Sequence, residues 1–163
     1  MAALDERAFG SFYESYFRSL WTFVYRVTGH PADTDDIVQE AFLRVLRSQT
    51  PIGDDDQRRR YLFRVASNLA VDRWRDHRRT GLIGLADTEL VDSARGIDLD
   101  IARLFATLSS RDRALLWLAY VEEESHDEIA ASLGVGRLSV KVLLFRARRR
   151  LRDLLRSKNW TGE

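Results

Sequence analysis

The stretch Ser125–Leu155, "SHDEIAASLGVGRLSVKVLLFRARRRLRDLL", decides the fold. "SHDE" (Ser125 to Glu128) opens it as a capping box: a serine side chain takes a backbone amide three residues on, and a glutamate reaches back to the serine amide. Ile129, Ala130 and Leu133 then share one helical face, Gly134 supplies a turn, and Val140, Leu144, Ala147, Leu151 and Leu155 recur by fours and threes on a longer helix. Helix, short glycine turn, helix is the helix-turn-helix layout, which offers its second helix to the major groove of DNA. The run Arg146, Arg148, Arg149, Arg150 and Arg152 points to several sides of that helix and suits phosphate. Yet Val142-Leu143-Leu144-Phe145 stands where such a helix ordinarily turns polar groups outward. The spacing predicts Val142 and Phe145 on the outside beside Ser139 and Lys141, with Leu143 nearer the core edge.

Working back along the chain, Ile101, Leu104, Phe105 and Leu108 mark a short helix, and "SSRD" (Ser109 to Asp112) reads as a second capping box opening "ALLWLAYV". Residues 81–97, "GLIGLADTELVDSARGI", hold glycines, no sustained period and mostly acidic charge, the composition of a flexible linker. Before it, Phe9, Phe12, Tyr13, Tyr16, Leu20, Phe23, Val24 and Val27 form one apolar face closed by Gly29 and Pro31. A second helix is expected from Asp33, with Ile37, Val38, Ala41, Phe42, Val45 and Leu46 inward and Asp33, Asp35 and Asp36 offsetting its dipole. A polar loop, "SQTPIGDDD", feeds a third helix from Gln57 to Arg79. The expected fold is all-α: two small helical domains, each with a modest core, on a flexible acidic tether.

The net charge of +1 conceals segregation. Residues 58–79 carry eight arginines against two aspartates, and 141–158 eight cations against one aspartate, whereas 81–100 are net acidic. No cysteine occurs, which excludes disulfides, thiolate metal sites and cysteine nucleophiles. The longest apolar run, Ala114 to Val121, is too short to span a bilayer, so no membrane insertion is expected and a cytoplasmic location is. His30, His77 and His126 lack ligand or triad spacing and no phosphate-cradling glycine loop exists, so no catalytic residue, metal or cofactor is assigned and the chain does not read as an enzyme.

Two helical faces carry chemistry. On the third helix Arg60, Arg64, Asn68, Val71, Arg75 and Arg78 fall on one stripe opposite Leu62, Val65, Ala66 and Leu69, with Arg79 following. Asn68 is an amide able to pair with a base edge, Tyr61 and Trp74 can support unstacked bases, and so many uncompensated arginines call for a polyanion. On the second helix Asp36, Gln39, Glu40 and Leu43 lie away from the apolar stripe. Acidic, with an exposed leucine, that face repels DNA and suits protein docking.

With these residues in view, "FYESYFRSLWTFVYRVTGHPADTDDIVQEAFLRVLR", "YLFRVASNLAVDRWRDHRR" and "LSSRDRALLWLAYVEEESHDEIAASLGVGRLSVKVLLFRARRRLR" resemble, in order and spacing, the extracytoplasmic-function sigma factors of the sigma-70 family. The resemblance implies a sigma-2-like three- or four-helix bundle over residues 1–80 and a sigma-4-like helix-turn-helix domain over 98–163, joined by linker 81–97. It implies that Asp36, Gln39, Glu40 and Leu43 bind the clamp helices of core RNA polymerase. Arg60, Tyr61, Arg64, Asn68, Arg75, Arg78 and Arg79 would melt and read the minus-ten promoter element. Arg137, Ser139, Lys141, Val142, Phe145, Arg146 and Arg149 would meet the minus-35 element, while their domain also docks on the polymerase flap. An anti-sigma factor or another recruiting protein is the further partner it implies. Two departures stand out: Val142 and Leu143 replace a serine and an arginine of the family pattern, and Glu123 stands where the family commonly has glycine. The rival is a stand-alone helix-turn-helix regulator with an N-terminal helical effector domain, which has no need of a second basic helix with aromatics.

Overall fold

The computed structural model describes residues 6–48, 54–79 and 98–157, and among them finds helices and no strand. The helices are α1 (Glu6–Thr28), α2 (Pro31–Arg47), α3 (Asp55–Arg79), α4 (Asp98–Thr107), α5 (Ser110–Tyr120), α6 (His126–Leu133) and α7 (Arg137–Ser157). The all-α expectation holds. The proposed tether, 81–97, lies outside the described residues.

Gly29 ends α1 at φ 71°, donating its amide to the Tyr25 carbonyl at 2.8 Å. Pro31 then starts α2 two residues before the expected position, because proline lacks only an amide that the first turn would leave unpaired. Asp33 stands in the first turn as expected, and it and Asp35 are also bridges: Trp21 Nε1 donates to Asp35 at 2.8 Å and Arg73 to Asp33 at 2.7 Å, tying α2 to α1 and α3. Phe42 gathers Phe9, Phe12 and Tyr13 within 6.3 Å, 6.1 Å and 4.7 Å between ring centroids. Tyr13 and Leu46, expected inward, remain 39% and 38% exposed, because both lie at the outer rim of an open groove between α1 and α2.

In the second half the capping box at Ser125 and Glu128 is complete, with its two bonds at 3.2 Å and 2.8 Å, and Gly134 adopts the left-handed conformation at φ 64°. The box expected at Ser109 is only half formed. Its hydroxyl accepts from the Asp112 amide, but the Asp112 carboxylate is taken by Arg150 of α7 at 2.6 Å, a charged donor that outbids a backbone amide.

The larger cluster of buried side chains runs across both halves, from Phe12, Phe23 and Phe63 to Leu115, Leu118, Ile129, Leu133, Val140 and Leu144, and a smaller one of Leu108, Leu116 and Ala147 belongs to the second half alone. At the seam between the halves Ser110 Oγ donates to the Val27 carbonyl at 2.8 Å and Arg113 to the Arg26 carbonyl at 3.0 Å. These are orphan acceptors at the end of α1, where helix polarity also favours a cation. Burial lowers the Arg113 pKa to about 10, which leaves it charged at neutral pH.

Candidate nucleic-acid interface

Helix α3 turns Leu62, Phe63, Val65, Ala66, Ala70 and Val71 into the core and leaves Arg60, Arg64, Arg75 and Arg79 exposed, with Asn68 half-buried between them. Val71, expected on the basic stripe, is 3% exposed and belongs to the opposite side. Leu69, expected inside, is only partly buried. Tyr61 packs partly on the core, and Trp74 lines a cleft with Arg75, Arg79, Arg111, Arg146 and Arg150. The side chain of Arg78 lies outside the described residues.

The expectation of uncompensated arginines needs correction. Arg58 pairs with Asp55 at 2.8 Å, Arg60 with Asp56 at 2.7 Å, Arg73 with Asp33 at 2.7 Å and Arg79 with Asp76 at 2.5 Å. Arg75 reaches Asp72 at 3.8 Å. A count over 58–79 includes Asp72 and Asp76 but misses Asp55 and Asp56 at the helix start and Asp33 of α2. Among the charges exposed on the stripe, pairs of this kind are worth little, so they hold the arginines in place without removing their availability to phosphate.

The long-range partners matter more. Arg59 of α3 pairs with Glu122, whose side chain is 8% exposed, and Arg60 reaches Glu128 at 3.2 Å. Glu122 also accepts from Trp117 Nε1 at 3.3 Å. The acidic turn after α5 is shaped by Glu123, which takes the left-handed φ of 53°, and by the Glu124 amide donating back to Leu118 at 2.9 Å. Glycine is the unstrained residue at such a position, so the departure at Glu123 carries a backbone cost of about 1 kcal/mol. The turn thereby sets carboxylates against the N-terminal half of the basic helix.

On α2, Asp36 and Gln39 are exposed, while Leu43 and Glu40 are half-buried, the latter holding Arg44 at 2.8 Å. Beside them a groove of about 400 Å³ is lined by Phe9, Tyr13, Val38, Phe42, Leu43 and Leu46. On α7, Val140, Leu144 and Ala147 are buried, Leu143 packs against the core edge, and Val142 and Phe145 face out at 48% and 55% exposure, as the spacing predicts. Ser139, Lys141, Arg146 and Arg149 are exposed around them, and Arg137 pairs with Asp127 at 2.8 Å. Arg150 and Arg148 are engaged, by Asp112 and by the Tyr120 hydroxyl at 2.9 Å, whereas Arg146 and Arg149 have no acidic partner among the described residues.

Two family models match in chain order: sigma-70 region 2 over residues 12–80 and sigma-70 region 4 over 98–151. The ECF RNA polymerase sigma factor SigL of Mycobacterium tuberculosis is 32% identical, with 93% of this chain and 90% of SigL covered. The chain belongs to the extracytoplasmic-function sigma factors of the sigma-70 family. It is therefore an RNA polymerase sigma factor, a transcription initiation factor and not an enzyme, and the stand-alone regulator is not favoured. The sigma factor RpoE of Bartonella quintana, solved with the anti-sigma factor NepR, has the same fold at a TM-score of 0.72 and 21% identity, covering 91% of this chain and 96% of its own. CnrH, solved with the cytosolic domain of CnrY, matches at 0.66 and 25% identity over 94% of this chain and 90% of its own.

In this sigma factor no helix among the described residues is long and apolar enough to cross a membrane. Residues that sequence reasoning passed over are Glu122 and Leu138, and for Glu128 it found the cap but not the pairing with Arg60. For Leu138 a signal existed, since it stands four before Val142. For the glutamates none did, because their partners lie some sixty residues away.

Glu124 supplies a pH dependence. Burial, then the neighbouring Glu128 carboxylate, raise its pKa from 4.5 to about 7, against the opposing pull of Arg59, the Ser132 hydroxyl and Arg64. The folded chain thus holds a proton that the unfolded chain releases, so stability from this group is greatest below its ordinary value, falls as pH rises and is lost once pH passes about 7. Urea midpoints measured between pH 5 and pH 8 should show that decline in the natural chain, and Glu124→Gln should flatten it. Equal slopes in the two proteins would disprove the assignment.

Proposed function

We propose that the first half of this sigma factor docks on core RNA polymerase through Asp36, Gln39, Glu40 and Leu43 of α2 and opens the minus-ten element with α3. The observation that carries this division is that one helical unit exposes two faces of opposite chemistry, an acidic one beside an apolar groove and a basic one with an amide at its centre. The acidic face suits a protein and would repel DNA. On the basic face Arg60, Arg64, Arg75, Arg78 and Arg79 grip phosphates, Asn68 reaches a base edge, and Tyr61 supports an unstacked base. Extruding a base costs a few kcal/mol, which binding to the displaced strand offsets without any hydrolysis.

The second half carries α7 to the minus-35 element and to the polymerase flap. Residues 1–80, 81–97 and 98–163 are the working domains and tether, and the site of action is the cytoplasm. RpoE was solved with the anti-sigma factor NepR and CnrH with the cytosolic domain of CnrY, and a comparable partner suits this chain. The test is reconstitution with core polymerase on a promoter library, followed by sequencing of the transcripts. Asn68→Ala should change base preference at the minus-ten element, whereas Arg75→Ala should lower use of every promoter by a similar factor, because bases carry sequence information and phosphates do not. Equal effects of both changes on all promoters would make Asn68 a positioning contact.

A further inference from the structure

Leu138, Val142 and Phe145 are 90%, 48% and 55% exposed, three of the few large apolar side chains that the described surface shows. They stand at helical spacing on α7, within an arc of about 60° at 3.6 residues per turn. The stripe lies at the start of the helix that a helix-turn-helix presents to the major groove, opposite the buried Val140, Leu144 and Ala147. None of the three can donate or accept a hydrogen bond, so none can read the nitrogen and oxygen edges of the bases. The one base-edge group in the major groove that rewards apolar contact is the C5-methyl of thymine.

We infer that Leu138, Val142 and Phe145 determine upstream specificity by packing on thymine methyls, so that this factor selects thymine-bearing positions where hydrogen-bonding residues would select others. The inference rests on the assignment of α7 to upstream promoter DNA and names the chemistry by which it reads. The rim favours DNA over a protein in this groove. Lys141 and Arg146 are exposed on the two sides of the stripe and Arg149 stands in line with it one turn beyond Phe145, with no acidic partner among the described residues for Arg146 or Arg149, so phosphates on both sides of the groove have cations to meet. From Leu138 to Phe145 the helix rises about 10 Å, which matches about three base-pair steps. The footprint is therefore a run of about three adjacent base pairs.

The experiment uses the full chain bound to core polymerase. Duplexes carrying a fixed minus-ten element and a randomised upstream element are selected for binding, and each thymine in the selected upstream run is then replaced by uracil, which removes the methyl alone. Selected elements should carry thymine within a run of about three, and each replacement should weaken binding about 2- to 4-fold, the range expected for one partly to fully buried methyl group. Leu138→Ser, Val142→Ser and Phe145→Ser together should abolish the difference between thymine and uracil while leaving binding through the minus-ten element intact. Uracil and thymine duplexes of equal affinity would overturn the inference, as would selected elements without thymine, and both would assign the stripe to a protein partner. A chain that formed no complex with core polymerase would fail one step earlier, overturning the polymerase assignment and this inference together.

Discussion

Replacing Glu122 by Lys is expected to loosen the grip between the two halves of the chain by about 3–5 kcal/mol, the cost of leaving one member of a buried ion pair without its partner. The Glu122 carboxylate is 8% exposed and holds Arg59, itself only 23% exposed in its side chain, while also accepting from Trp117. The Arg59 guanidinium lies 4.8 Å from the centre of the Phe63 ring, a position that a second cation would disturb. Lysine at 122 sets like charges face to face where water is scarce. Two consequences can be measured. Energy transfer between dyes on α2 and α7 should report a wider separation, and single-stranded minus-ten DNA should bind the free protein more tightly, since Arg59 and Arg60 lose their carboxylate competitors. Glu123→Lys, one residue along and exposed, serves as the control and should do neither. Restoration of the closed distance by Arg59→Glu in the Glu122→Lys chain would tie the effect to this pair; an unchanged distance in Glu122→Lys would refute it.

Phe63→Ala should cost about 3–5 kcal/mol, among the largest penalties available to a single side chain in this fold. The Phe63 ring is fully buried, 5.6 Å from that of Phe23, which in turn lies 6.4 Å from Trp117 of the second half. The Arg59 guanidinium, 4.8 Å from the ring centre, is held by Glu122 and so is not free to fill the space. Because the core is continuous across the seam, urea should unfold the natural protein in one cooperative step. The variant should lower the midpoint seen by Trp117 fluorescence and by far-ultraviolet circular dichroism together, with a fall in Tm of roughly 6–20 °C for a chain of this size. Two separated transitions in the natural protein, only one of them moved by the substitution, would show the halves to be independent.

Local chemistry made much of this protein legible from its residues alone. The helices, the Gly29 and Gly134 turns, the Ser125 capping box and the outward Val142 and Phe145 all follow from neighbours within four residues, and the structure bears them out. The same holds for the order of the two regions, since Arg-rich and acidic segments can be counted along the chain and the three matching motifs are contiguous. What the residues could not disclose was pairing across distance. Arg59 read as a free cation because its carboxylate, Glu122, is remote in the chain, as is the second partner of Arg60, Glu128, and the Asp112 carboxylate read as half of a cap because Arg150 was out of sight. Val71 shifted from the basic stripe to the core because α3 is buried from two sides, by α1 and α2 and also by the second half, which widens its apolar face beyond what a single packing partner demands. Helical period and capping depend on nearest neighbours, so sequence determines them; ion pairing and the extent of a shared core depend on which surfaces meet, and only tertiary packing decides that.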